Sequence, residues 1–148
     1  MNTKLILAAI AIALAAPVVL AHQGASGIVK ERMDAMGSIA ANVKSVSQML
    51  RGTIEYDPAA VQAAMEAISA HAATLPEKFP QGTDHAPSEA APAIWTDTDG
   101  FNAIFVELET AAAATALVAD DKAAVQQGFG AVAKTCKSCH ATYRIERE

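Results

Sequence analysis

What the chain lacks removes several classes of protein before any motif is considered. It has only two cysteines in 148 residues. A structural zinc site needs four ligands, and neither a second C-x-x-C nor an H-x₃-H pair is present to complete one. No Ser/His/Asp set, paired-carboxylate motif or Gly-rich phosphate loop can be picked out, so the chain reads as a non-enzyme. Cations are scarce: eleven Lys and Arg stand against sixteen Asp and Glu, which argues against nucleic acid or an anionic membrane surface as partner. Aromatics make up only 5%, while alanine is abundant, a composition that favours helices packed closely together.

The two cysteines fall in Cys136-Lys137-Ser138-Cys139-His140. C-x-x-C followed at once by His is the attachment signature of a c-type haem, in which two thiols bond to the vinyl groups and the imidazole binds the iron. On a helix the cysteines lie three apart and His140 follows four after Cys136, so all three address one porphyrin edge. A thioredoxin-like C-x-x-C would normally open a helix after a strand, and no β-rich run precedes this one. A simple exported disulfide is the plainer alternative. Haem attachment is the preferred reading.

Residues 1–21 have the form of a secretory signal peptide. Lys4 gives a positive start, Leu5 to Leu20 is almost wholly apolar, and Val19 and Ala21 are the small residues a signal peptidase requires. The apolar run is nearly long enough to be an uncleaved membrane anchor instead. Cleavage after Ala21 leaves residues 22–148 as one domain, with no membrane insertion thereafter. Export to the periplasm suits haem attachment and disulfide formation alike. The removed segment holds one basic residue and no acidic one, so the mature charge is −6. Encounters with redox partner proteins should therefore be steered by the partner's basic surface and weakened by salt. The new N-terminal His22 lacks the paired His that copper chelation would need.

Four helices are predicted. The first carries Ile28, Met36, Ile39, Val43, Val46 and Leu50 at helical spacing and stops at Gly52. Asp57-Pro58 starts the second, with Val61, Met65, Ile68, Ala72 and Leu75 on its stripe, His71 at the rim and Pro76 as terminator. Residues 76–96 form a long Pro-rich connection crossing the bundle end, with Phe79 and Trp95 as core anchors. The third helix begins near Asp97 or Asp99 and presents Phe101, Ile104, Phe105, Leu108, Ala111 and Ala112. Asp120-Asp121 starts the fourth, whose face of Val125, Phe129, Val132, Cys136, Cys139, His140 and Tyr143 runs into the haem motif and places the porphyrin within the bundle. Gly128 and Gly130 mark close approach to a neighbouring helix or the haem. The fold class is all-α, an antiparallel four-helix bundle with covalently attached haem.

A C-terminal Cys136-Lys137-Ser138-Cys139-His140, continued by Tyr143 and Arg144 and preceded by Lys134, resembles the class II c-type cytochromes, cytochrome c′ and its low-spin c-556 relatives. The resemblance extends to Glu31-Arg32-Met33-Asp34-Ala35-Met36, to Met49-Leu50-Arg51-Gly52 and to Pro92-Ala93-Ile94-Trp95, and so covers nearly all of residues 22–148. It implies one covalent haem c, with His140 as proximal ligand and Met36 on the distal side. A ligating Met gives a low-spin electron carrier; a distal residue that does not ligate gives a high-spin protein that binds nitric oxide or carbon monoxide. Some high-spin members carry Met there without a bond. The family often pairs through its first two helices, which allows a homodimer.

Periodicity bears on the choice of methionine. At about 100° per residue, Met36 lies roughly 50° from the centre of the first helix's stripe and Met33 about twice as far. Met49 and Met65 read as core filler. Arg32, one turn before Met36, can reach a haem propionate or solvent. Arg144 can cover the proximal side near His140 or pair with Glu148. The favoured function is a monohaem electron-transfer cytochrome with His140/Met36 ligation, and the alternative is a gas-binding protein.

Overall fold

The computed structural model describes residues 24–145; the signal segment 1–21, His22 and Glu148 lie outside them. The main helices are α1 (Gly27–Leu50), α2 (Pro58–Thr74), α4 (Thr98–Ala116) and α5 (Lys122–Tyr143), with a short α3 (Ala93–Thr96) ahead of α4. Among the described residues the only β pairing is an isolated antiparallel bridge between Ala90 and Arg144.

Local chemistry sets the helix limits. Asp57 Oδ1 accepts from the N–H groups of Ala59 and Ala60, and Asp121 Oδ1 from those of Ala123 and Ala124, capping α2 and α5. Asp97, not Asp99, caps α4 by accepting from Gly100 N–H at 3.2 Å. Gly52 adopts φ +72 just past α1, the left-handed conformation that ends a helix without a Cβ penalty. Pro76 does not stop the chain at once: α2 tightens into a 3₁₀ turn, Leu75–Lys78, whose start tolerates a missing N–H.

Direction follows from paired contacts. Glu31 meets Lys78 and Ser38 meets His71, so α1 and α2 run antiparallel. Tyr56 O–H donates to Ala119 C=O and Ser69 O–H to Glu109 C=O, which makes α2 antiparallel to α4. Tyr143 stacks edge-on against Phe101 while Gly128 abuts Thr115, which does the same for α4 and α5. Hence α1 and α5 are antiparallel. Val46, Met49, Val61, Met65, Ile68, Leu75, Val125 and Val132 are almost fully buried between them, the two methionines as core filler.

The stripe on α1 divides between two surroundings. Ala35, Ile39, Val46 and Met49 are buried in the core, whereas Met36, Val43 and Leu50 are only half-buried at its margin. His71 is half-buried and bonded to Ser38 Oγ at 3.0 Å, a seam position. Phe79 and Trp95 are also half-buried, joined by a 2.9 Å bond from Trp95 Nε1–H to Phe79 C=O.

The glycines of α5 differ. A Cβ on Gly128 would collide with Thr115 Oγ1 and lie 3.1 Å from two Thr115 carbons, whereas one on Gly130 would meet nothing within 4 Å. Close approach to a neighbouring helix therefore holds for Gly128 and not for Gly130. Alanine at either site gains helix propensity of about 1 kcal/mol, but at Gly128 overpacking should cost about 1–3 kcal/mol. Urea unfolding is expected to find Gly130→Ala stabilised and Gly128→Ala less stable than it by about that overpacking cost; equal midpoints would contradict the contact.

Candidate functional site

A cleft of about 660 Å³ lies between α1, α4, α5 and the connection before α3, a size within the usual range for cofactor sites. Cys136, Cys139, His140, Tyr143 and Arg144 line it from α5, and Arg32, Met33 and Met36 from α1. All seven residues singled out in the sequence thus share one cleft. Its apolar wall includes Phe79, Phe101 and Phe105, stacked edge-on or tilted with centroids 4.9–6.5 Å apart.

The haem motif turns aside from the core stripe of α5. Val125, Val132 and Tyr143 are buried, but Cys136 and Cys139 are half-buried and His140 is exposed. The expected continuous stripe is corrected accordingly: the attachment points form a wall of the cleft between α1, α4 and α5, which lies within the bundle. A straight helix shares its faces between the core and this wall, and a continuous apolar stripe does not separate them.

No disulfide joins Cys136 to Cys139. Burial pushes the Cys136 thiol up, and burial with the neighbouring Cys136 raises Cys139 to about 11. A dithiol redox centre needs the opposite shift, toward thiolate. Although the residue as a whole is exposed, partial desolvation of its ring beside the cleft and then Arg144 hold the His140 imidazole below its ordinary value, opposed by Glu89. Its neutral form, which binds metals, therefore prevails at neutral pH.

Arg32 is neither exposed nor directed to solvent. It is 3% exposed, and its guanidinium donates to Thr83 Oγ1 at 2.9 Å, to the Thr83 carbonyl and to Ser88 Oγ, with its centre 4.8 Å from the Phe79 ring centroid. Burial lowers its pKa, and Asp84 opposes that shift. Arg144 pairs with Glu89 through Nε at 2.7 Å and Nη2 at 2.6 Å. Tyr143 O–H donates to Asp97 Oδ2 at 2.6 Å, and this bond, with burial and the carboxylate charge, pushes the phenol up to about 12.

Sequence reasoning did not find Thr83, Ser88 and Glu89, and it set Met33 off the inward face although Met33 also lines the cleft. Proline and polar residues mark 76–96 as irregular chain but say nothing of its partners, since Arg32 reaches across 51 residues to Thr83 and 56 to Ser88. The donor set fits a covalent haem: two thiols and an imidazole on one wall, a thioether-bearing helix on the facing wall, apolar surface between and a guanidinium at one end.

Residues 27–144 match the family described as Cytochrome C′. The chain is 36% identical over 124 residues to cytochrome c-556 of Agrobacterium fabrum, an alignment covering 83% of this chain and 84% of that one. Its structure is similar to that of cytochrome c′ from Rhodopseudomonas palustris, with a TM-score of 0.78, 29% identity and coverage of 84% and 100%. It is also similar to a cytochrome c′ described as having an unusual ligand-controlled dimer dissociation, with a TM-score of 0.74, 28% identity and coverage of 80% and 95%.

Proposed function

Since this chain belongs to the cytochrome c′ family and is a monohaem c-type cytochrome with one covalent haem c, we propose that it carries single electrons between partner proteins, with His140 and Met36 as iron ligands on opposite faces. The register of α1 against α5 carries this reading. Arg32 and Arg144 both bond to the connection at the cleft's end. Met36 is four residues beyond Arg32, and His140 three residues before Tyr143, where the antiparallel α5 ends, so each stands about one helical turn from that end. Met33 is displaced by nearly a turn.

Haem c supplies a one-electron iron couple, and a His/Met ligand pair raises its potential. The chain's residues anchor, orient and shield it. Cys136 and Cys139 would hold the vinyl carbons, and Phe101, Ile104 and Phe105, which line the cleft, would exclude water from it. Arg32 spends three hydrogen bonds on the connection and, with five N–H donors, retains capacity for a propionate. Tyr143, held by Asp97, and Arg144, held by Glu89, wall the His140 side.

The reading includes export by residues 1–21 to the periplasm and no catalytic step. No helix among the described residues is long and apolar enough to cross a membrane. A homodimer through α1 and α2 is part of it, supported by the dimeric relative of known structure.

Optical spectroscopy of the haem protein tests the ligand set. The ferric form should be low-spin with a weak near-infrared sulfur-to-iron charge-transfer band, and the ferrous form should have little affinity for carbon monoxide. A high-spin ferric spectrum with ready carbon monoxide binding would put the gas-binding alternative in its place.

A further inference from the structure

The chain between Thr83 and Ala91 is bonded to both helices that face each other across the cleft. On the α1 side it holds the buried Arg32 guanidinium through Thr83 Oγ1, the Thr83 carbonyl and Ser88 Oγ. On the α5 side Ala91 N–H donates to Tyr143 C=O at 3.0 Å, Ile145 N–H donates to Glu89 C=O at 2.9 Å, and Glu89 pairs with Arg144. Helix α1 otherwise packs mainly on α2 and the 3₁₀ turn that follows it, and α5 mainly on α4 and to a lesser extent on α3. The segment is thus a hydrogen-bonded link between the helix carrying Met36 and the helix carrying His140.

Ser88 stands at its centre. It is 1% exposed, and its Oγ accepts from both Arg32 and Ala90 N–H, the latter at 3.1 Å. Its own N–H donates to His85 C=O at 3.0 Å, which closes the turn that presents the hydroxyl. A guanidinium buried to this degree cannot leave the connection without losing acceptors that water does not replace. The Phe79 ring beneath it restricts its motion further.

We propose that residues 83–91 act as a strap across the end of the cleft, and that Ser88 is the positioning residue that fixes the spacing of α1 from α5 and so governs how readily a small neutral molecule reaches the iron on the Met36 side. The inference rests on the cleft as the haem site, but not on a Met36–iron bond. If Met36 binds iron, the spacing determines how easily its thioether is displaced. If it does not, the spacing determines the width of the path beside it.

The test compares carbon monoxide association with the ferrous haem protein in the unmutated chain, Ser88→Ala and Ser69→Ala, with amide hydrogen exchange measured on the same samples. Ser69 makes an equivalent hydroxyl bond, to Glu109 C=O at 3.2 Å, in the α2–α4 seam away from the cleft, and so serves as control. Ser88→Ala is expected to speed association about tenfold, the fold-change that corresponds to loss of one charge-assisted hydrogen bond. The Ala91 and Ile145 amides should exchange faster in the same variant, and Ser69→Ala should change neither quantity. Thr83→Ala, which removes one Arg32 acceptor at a half-exposed position, should act in the same direction to a smaller extent and serves if Ser88→Ala does not fold. Association and exchange unchanged in the strap variants, even with a lowered melting temperature, would overturn the proposal. A high-spin spectrum of the unmutated protein would instead count against Met36 ligation and leave the strap comparison fully decisive.

Discussion

Met36→Leu is expected to convert a low-spin ferric protein into a high-spin one, lower its potential and open the ferrous iron to carbon monoxide. The substitution retains apolarity and nearly the volume, and such exchanges usually cost less than about 1.5 kcal/mol. Met36 is only half-buried at the core margin, so the bundle should keep its helix content and much of its stability. What the leucine lacks is the sulfur lone pair. A ligating thioether occupies the position a gas must enter, so one replacement should change spin state and gas affinity together. Met33→Leu provides the decisive comparison, because Met33 lines the same cleft from the same helix. Spin state and carbon monoxide binding unchanged in Met33→Leu and altered in Met36→Leu would agree with the register that sets Met36 level with His140. The reverse pattern would move the ligand to Met33, and no change in either would make both methionines packing residues.

Removing both thiols should have a comparably large effect of a different kind. In the unmutated protein acid-acetone extraction should leave the pigment with the polypeptide; in the Cys136→Ser/Cys139→Ser variant it should pass into the solvent. Stability should fall with it. Without the haem the apolar wall of the cleft, Met36, Val43 and Ile104 among it, is left facing water, and each such side chain contributes about 1.5–3 kcal/mol when fully buried. Domains of this size have about 5–15 kcal/mol in total. The haem-free variant is therefore expected to keep helical far-ultraviolet dichroism while losing its near-ultraviolet signal and cooperative melting. A haem-free variant that melts as sharply as the haem protein would show that α2, α4 and their seams hold the fold without the group between α1 and α5.

Helix limits were legible because they depend on neighbours in sequence. Asp57, Asp121 and Gly52 each act on backbone groups within three or four residues, and each does in the structure what its type and position imply. The four stripes were legible for the same reason. Their division between core and cleft was not: Met36 and Ile39 both belong to the apolar side of α1, yet Ile39 is buried and Met36 stands at the margin. Met33 falls outside the stripe and still lines the cleft, because a cofactor-sized opening exposes a wider arc of helix than a packed neighbour does. Gly128 and Gly130 are alike in sequence, and only the position of Thr115 distinguishes them.

By itself the sequence determined the haem chemistry, the count and order of the principal helices and the residues available as ligands, since a covalent signature and a helical period are both local patterns. The tertiary structure decided what becomes of the polar residues in the long connection. Arg32 could not be assigned from α1 alone, because a guanidinium at that position is stable in solvent, on a propionate or against another segment, and which one holds depends on what the fold brings to it. Thr83, Ser88 and the Phe79 ring arrive there only after α2 has reversed the chain, and Glu89 reaches Arg144 only when α5 returns along α4. Burial of a charge is the physical reason the arrangement is specific: once the bundle removes Arg32 from water, acceptors must be supplied at fixed points, and the connection that supplies them becomes a wall of the site.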